Sequence, residues 1–433
     1  MRTTDNNWGN YEVKAHEIAD CGLIGNKNLN DLLLANPNLL IFPLKVGQHH
    51  DEIEKSEIFS LKGNKLTTYN MMGFVGVNNT QITICSRFQK NDSENDNFLH
   101  YMLQKVFALN IVDLKSGTDP DSIWDIFLLY LFPYYLNKAL SQGLYKEYQN
   151  KNFNDSNVKG VIDVSRHIRV NNPFVGKIAY KTREHTYDNR VTELIRHTIE
   201  YINRHELNNG ILTNEYTTRG SVIQILNATP LYNKIDRRKI IEQNRKIVNH
   251  SYYSEYEILR RICLQILRKE GLTFGSEENK VYGLLFDGAW LWEEYLNTIL
   301  SPIGFIHPEN KKGINPIFLF KNEKYARYPD FYHKMKNTVL DAKYKNLGGA
   351  YSELERNDIH QIISYIHVLK AKIGGFVYPF LKDEKSQIGI LNGYEGEVFK
   401  YGLKIPTDQK NYVGFKLGML ESESSLVELC SLI

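Results

Sequence analysis

"RYPDFYHKMKNTVLDAKYKN", residues 327–346, sets two aspartates and a lysine inside apolar, strand-like sequence. Read as a hairpin, "ARYPDFYH" is one strand, "KMKN" the turn and "TVLDAKYK" the second strand. Side chains alternate faces along a strand. Asp341 and Lys343 therefore share one face, while Leu340, Ala342 and Tyr344 point the other way. Asp330, near the end of the first strand, falls beside Asp341 on its neighbour. Two carboxylates this close repel unless a cation sits between them. A hard divalent ion meets that need, and Mg²⁺ is typically held by one or two carboxylates, waters and a substrate phosphate. Such an ion polarises a phosphodiester and lowers the pKa of its bound water. A lysine on the same face orients that water or stabilises charge on the phosphorane. The set is what phosphodiester hydrolysis requires. The same letters also arise without chemistry, because Pro-Asp is a common turn dipeptide and Asp-x-Lys an everyday strand-edge ion pair. Context favours the chemical reading: unpaired carboxylates in apolar strand sequence are expensive.

Composition narrows the classes. A chain of 433 residues is too long for one core, which implies two or three domains. The formal net charge of +3 neither requires nor excludes nucleic acid. No apolar run reaches the length of a membrane span. The polar N-terminus, "MRTTDNNWGNYEVK", lacks the apolar core of a signal peptide. Cys21, Cys85, Cys263 and Cys430 are scattered, with no metal-type pair among them, and read as reduced thiols in a cytoplasmic protein. No G-x-x-x-x-G-K-[ST] loop is present, so the chain itself is not expected to bind a nucleotide in that manner.

The organisation expected is multidomain α+β. Residues 1–120 form a β-rich region, with "LLIFPLKVG", "EIFSLKGNKLTTY", "MMGFVGV" and "QITICSRF" as short β-branched or aromatic runs. "KSGTDPDS" (115–122) marks a boundary. Residues 121–270 are mainly helical, opening on a long apolar helix interrupted at Pro133. "NVKGVIDVSRHI" (157–168) alternates like a strand, and Val191, Leu194, Ile195 and Ile199 make one helix face. Residues 271–433 hold the third region: "LLFDGAWLWEEYLNTIL" (284–300) as a helix, the acid hairpin, the helix "NDIHQIISYIHVLKAK" and a buried strand "GGFVYPFL". The final "ESESSLVELCSLI" reads as a short helix or a loose tail. "DRRKIIEQNRK" and "LRRICLQILRK" concentrate Arg237, Arg238, Lys239, Arg245, Arg260, Arg261 and Arg268. Basic faces of this kind either track a nucleic-acid backbone or are plain solvated surface.

A Pro-Asp strand, a hairpin, an Asp-x-Lys strand and then a helix with Q-x-x-x-Y resemble the PD-(D/E)xK nuclease superfamily. Within it, the sequence is most similar to the McrC-like group, which includes the nuclease components of McrBC and LlaJI-type restriction systems. The likeness extends to "GLLFDGAWLWEEYLNTIL", "DIHQIISYIHVL" and "GGFVYP", and upstream to "NVKGVIDVSRHI" and "EHTYDNRVTELIRHTIEYI". It departs at Thr192 and Glu193, where an Asn is often found, and at "ICSRF", where the group usually has Pro-Lys.

The resemblance implies an α/β nuclease core in the third region, with a mixed central sheet flanked by helices. It implies a metal-dependent DNA endonuclease subunit of an anti-phage restriction system. Asp330 and Asp341 match the metal-binding acids and Lys343 the catalytic lysine. Glu293, directly after Trp292, matches a further metal or water ligand, with Glu294 the runner-up. Gln361 and Tyr365, four apart on one helix face, match the pair that supports the site or touches the DNA backbone, and Asp358 and His360 are candidates to join them. Lys345 is a candidate phosphate contact. The implied cofactor is Mg²⁺, with Mn²⁺ as a substitute. The implied partners are DNA, a separate McrB-like AAA+ GTPase and, in some systems, a DNA methyltransferase. Two other readings remain open: a stand-alone repair or recombination nuclease, and a non-catalytic activator of an AAA+ motor.

Overall fold

The computed structural model describes residues 1–43, 55–78, 80–89, 96–109, 122–205, 210–248, 250–268, 281–308, 315–345, 347, 354–409 and 411–433. Most of the expected 115–122 boundary lies outside the described residues. The chain divides into two compact units, Met1–Trp124 with Ser276–Ile433, and Asp125–Gly275.

In the first unit, one five-stranded sheet runs in the order Arg2–Thr4, Thr80–Cys85, Met71–Val77, Val281–Asp287, Leu40–Phe42. Its core gathers Ile41, Val75, Val77, Ile82, Ile84 and Leu285 with Cys21, Leu32 and Phe59. The stretch 284–300, expected as a single helix, splits. Val281–Asp287 is a strand, antiparallel to Met71–Val77 and parallel to Leu40–Phe42. Asp287 then caps the helix Gly288–Leu300, its carboxylate accepting the Trp290 N–H at 2.8 Å. A short apolar run does not by itself distinguish strand from helix. Here two neighbouring strands satisfy its backbone on both edges. A strand from the third region of the sequence thus lies in the sheet of the first.

The second five-stranded sheet of this unit runs Phe331–His333, Thr338–Ala342, Ile373–Phe380, Glu397–Lys404, Glu384–Ile390. Its outer pairs are antiparallel and its inner pairs parallel, so the sheet is mixed. The helix Arg356–Leu369 makes the crossover between the first parallel pair and packs Ile362, Tyr365 and Ile366 into the core. The glycines of "GGFVYP" allow that packing. A Cβ on Gly374 would stand 2.5 Å from Ile366, and one on Gly375 2.4 Å from Phe399. The acid hairpin is shorter than its sequence suggests: Ala326–Arg327 and Phe331–His333 are separate strands, and the second arm ends at Ala342. The C-terminal stretch, read as a short helix or loose tail, is instead part of the helix Tyr412–Leu432, of 21 residues. Buried Glu423 fastens it, accepting the hydroxyls of Tyr101 (2.8 Å) and Tyr295 (2.9 Å) and the ammonium of Lys105 (2.8 Å).

The second unit contains a three-stranded sheet, ordered Glu147–Asp155, Ile178–Thr186, Val161–Ile162, and the helices Arg190–Arg204, Tyr216–Ala228, Arg237–Gln243 and Ser254–Arg268. Val191, Leu194, Ile195 and Ile199 are fully buried, as their spacing predicts. Two local expectations fail. The strand expected over 157–168 reduces to Val161–Ile162, because Asp163 caps a helix at Val164–Val170 by accepting the Arg166 N–H. Pro133 does not interrupt Ser122–Leu140. Burial of Leu128, Leu129, Phe132 and Leu136 around it outweighs the one lost hydrogen bond.

Replacing Glu423 by Ala strips two buried tyrosine hydroxyls of their acceptor. The expected cost is about 2–4 kcal/mol, measurable as a lower urea midpoint; an unchanged midpoint would show that the helix is held by its apolar contacts alone.

Candidate active site

The hairpin register sets Phe331 opposite Leu340, which leaves Asp330 one step beyond the pair and close to Asp341. Asp330 is fixed there by a backbone bond, the Ala342 N–H donating to its Oδ2 at 2.6 Å. Asp341 is almost fully buried, and its Oδ1 accepts no hydrogen bond. Lys343 lies just past the strand end, with Nζ 2.9 Å from Asp341 Oδ2 and 2.9 Å from Asp358 Oδ1. It also donates to Gln361 Oε1 at 3.4 Å. The Gln361 amide donates to the Tyr365 hydroxyl (2.9 Å), which donates to the Tyr328 carbonyl (3.3 Å). One helix, Arg356–Leu369, therefore supplies three of the side chains that set Lys343 in place.

The protonation of these groups follows from burial and charge. Burial, then the nearby Asp341 and Glu293 carboxylates, push the Asp330 carboxyl well above the usual range, against the pull of Lys343 and the Ala342 N–H. Burial likewise pushes Asp341 up, while Lys343 pulls it down. For Lys343 burial acts downward, but Asp341, Asp330 and Asp358 together outweigh it and hold the ammonium above its ordinary value. Burial would raise Asp358, but its bonds to Lys343 and Lys345 prevail and lower it.

Glu293 projects from the Gly288–Leu300 helix, and its charge reaches Asp330, which favours it over Glu294. The helix is aligned by Trp292, whose indole N–H donates to the Val377 carbonyl at 3.2 Å. The same carbonyl accepts the Lys343 N–H at 2.9 Å, so one oxygen orients both the glutamate helix and the lysine. Lys345, partly exposed, pairs with Glu355 Oε1 (2.7 Å) and Asp358 Oδ2 (3.4 Å), which ties it to the same cluster. His360 is exposed on the same helix, and only Asp358 of that pair enters the cluster.

One participant carries no sequence signal. His307 bonds the Asp330 carbonyl oxygen through Nδ1 (2.7 Å), which makes Nδ1 the protonated nitrogen. Its ring stacks on Phe331, and Nε2 faces Glu293 Oε1 at 3.7 Å. His307 lies 23 residues before Asp330, outside every motif; no local spacing marks it.

Among the described residues no three His, Cys, Asp or Glu side chains converge as a ready-made metal site. Two close carboxylates do converge, one with a buried oxygen that accepts no hydrogen bond. That donor set suits a hard divalent ion whose remaining ligands are waters and substrate oxygens. The basic helices of the second unit are less available than their sequence suggests. Arg260 is fully buried, bound to Glu257 and to the Asn244 carbonyl, so it cannot track a DNA backbone. Arg261 and Arg245 pair with Glu257 (2.9 Å) and Glu242 (3.0 Å), whereas Arg238 and Lys239 are exposed.

Two solved structures from Thermococcus gammatolerans are similar to the chain. One is an assembly of McrB AAA+ hexamers with bound McrC (17% identity, 88% of each chain covered, TM-score 0.46). The other is a McrBC complex (17% identity, 70% of this chain and 87% of that chain covered, TM-score 0.31). No curated protein matches. The family model described as "McrBC 5-methylcytosine restriction system component" matches residues 66–379, most of the chain, and the chain belongs to that family.

Proposed function

We propose that this chain is the nuclease subunit of its restriction system, a Mg²⁺-dependent DNA endonuclease that works with a separate McrB-like AAA+ GTPase. The observation that carries the proposal is the placement of Asp330 and Asp341 side by side, with Lys343 Nζ 2.9 Å from Asp341 at the rim of the same sheet. Three such groups in apolar surroundings are costly for folding and are explained by catalysis. The expectation of a partner is supported by the family, whose model describes one component of a restriction system.

Asp330 and Asp341 would hold the divalent ion, with Glu293 close enough to Asp330 to orient a water. The ion, Mg²⁺ with Mn²⁺ as a substitute, would polarise the scissile phosphate and acidify a bound water. Beside these carboxylates Lys343 is held as the ammonium, which would act as a fixed positive charge toward the phosphorane. Asp358 and Gln361 anchor it by contacts independent of Asp341. Lys345, tied to Glu355 and Asp358, braces that anchor.

Plasmid cleavage with Mg²⁺, with and without the cognate AAA+ protein and GTP, on methylated and unmethylated DNA, tests the reading. Wild type should cut only with partner and GTP, while Asp341→Ala and Lys343→Ala should lose about 10²-fold or more. Cutting by wild type alone would favour the stand-alone nuclease. Variants as active as wild type would place the site elsewhere.

A second expectation needs no cleavage. Asp330 has a folded-state pKa above its unfolded value, so its ionised form costs stability at neutral pH. That cost shrinks as pH falls through the folded pKa and vanishes below the unfolded value. Asp330→Asn should therefore be more stable than wild type at pH 8 without divalent ions, by about 0.5–2 kcal/mol. The gap should narrow on acidification, and Mg²⁺ should raise the melting temperature of wild type more than that of the variant. A destabilised variant with no Mg²⁺ effect on wild type would remove the metal-site assignment.

A further inference from the structure

The catalytic strand ends at Ala342, yet the lysine lies one residue beyond it. A residue past a strand end has lost most of its ladder bonds, and the Lys343 backbone keeps one, to the Val377 carbonyl. What fixes the chain next is the side chain of Tyr344. This ring is almost fully buried, on the side opposite Lys343. It stacks under the Arg87 guanidinium, 4.6 Å from the ring centroid, and meets Phe88 edge-on at 6.4 Å. Its hydroxyl donates to the Met72 sulfur at 3.4 Å. Only glycine fits where the ring passes the start of the Gly288–Leu300 helix, since a Cβ on Gly288 would stand 2.8 Å from it.

Arg87 is itself immobilised. Its backbone N–H donates to Asp5 Oδ1 (2.6 Å), and Nε (3.0 Å) and Nη2 (2.5 Å) both donate to Asp5 Oδ2. Nη2 also reaches the Asn70 side-chain oxygen at 3.2 Å. Asp5 is fully buried, which makes this a desolvated, multiply bonded ion pair and not a surface contact. Arg87 leaves the Thr80–Cys85 strand, and Asp5 follows the Arg2–Thr4 strand that pairs with it. A rigid cation on the N-terminal sheet thus clamps the residue next to the catalytic lysine.

We infer that Tyr344, held by Arg87 and Asp5, is a positioning residue for Lys343, so that the N-terminal sheet is a working part of the nuclease site. The inference rests on the endonuclease reading for its catalytic consequence, but its structural content stands apart from it. Misplacement of a catalytic group by about 1 Å costs on the order of 10²-fold in rate.

The test uses the full chain with its AAA+ partner, GTP, Mg²⁺ and plasmid. Arg87→Met and Tyr344→Leu should lower kcat by about 10–10²-fold with the KM for DNA unchanged, and the double variant should be no worse than the poorer single one. Tyr344→Phe, which keeps the ring under Arg87, should recover most of the loss. In parallel, amine acylation of Lys343 in the intact folded protein, read by mass spectrometry, should rise several-fold in Tyr344→Leu as the lysine leaves its two carboxylates. If folded Arg87→Met and Tyr344→Leu match wild type in both kcat and labelling, or if their losses simply add, the inference is overturned. If wild type fails to cut while Tyr344→Leu still unmasks Lys343, the positioning role stands and the nuclease reading falls.

Discussion

Two neighbouring carboxylates at the edge of the second sheet, one of them almost fully buried, are balanced by one lysine, and the rest of the cluster is arranged around its contact with Asp341. Desolvation holds half-buried Asp330 and almost fully buried Asp341 against ionisation, and Lys343, 2.9 Å from Asp341, opposes this. Without Lys343 the acids would be uncompensated buried charge, which is strongly destabilising. Without the acids, the lysine would lose much of what holds it protonated. The cluster is therefore self-consistent electrically but expensive.

Several unrelated segments converge to support it. The Arg356–Leu369 helix presents Asp358, Gln361 and Tyr365 from one side. Val377, on the next parallel strand, orients both the lysine backbone and the helix carrying Glu293 through a single carbonyl oxygen. His307 meets the Asp330 carbonyl and faces Glu293. The N-terminal sheet reaches the far side of the lysine segment through Arg87 and Tyr344. The partners in these contacts lie from a few residues to more than two hundred apart in sequence.

The first unit also explains why the N-terminal and C-terminal regions belong to one body. The Val281–Asp287 strand completes the N-terminal sheet and runs directly into the helix that carries Glu293. The first sheet is thus joined to the glutamate helix through Asp287 and to the segment after Lys343 through Arg87 and Tyr344.

The sequence alone determined the local chemistry. Period-two alternation around Asp341 and Lys343 set them on one face, Gln361 and Tyr365 fell on one helical face four residues apart, and the Val191, Leu194, Ile195, Ile199 stripe was buried as spaced. These are properties of neighbours in the chain, where backbone geometry fixes who faces whom. Only the tertiary structure decided the rest. Residues 284–287 became strand because two other strands closed their hydrogen bonds, and Pro133 was carried within a helix by burial around it. The C-terminal stretch became helix against two tyrosines, and Arg260 turned inward to Glu257 instead of outward to a ligand. His307 and Arg87 entered the site from distant segments. The physical reason is the same throughout: burial and long-range pairing supply energies larger than local propensity, and no periodicity in the chain records them.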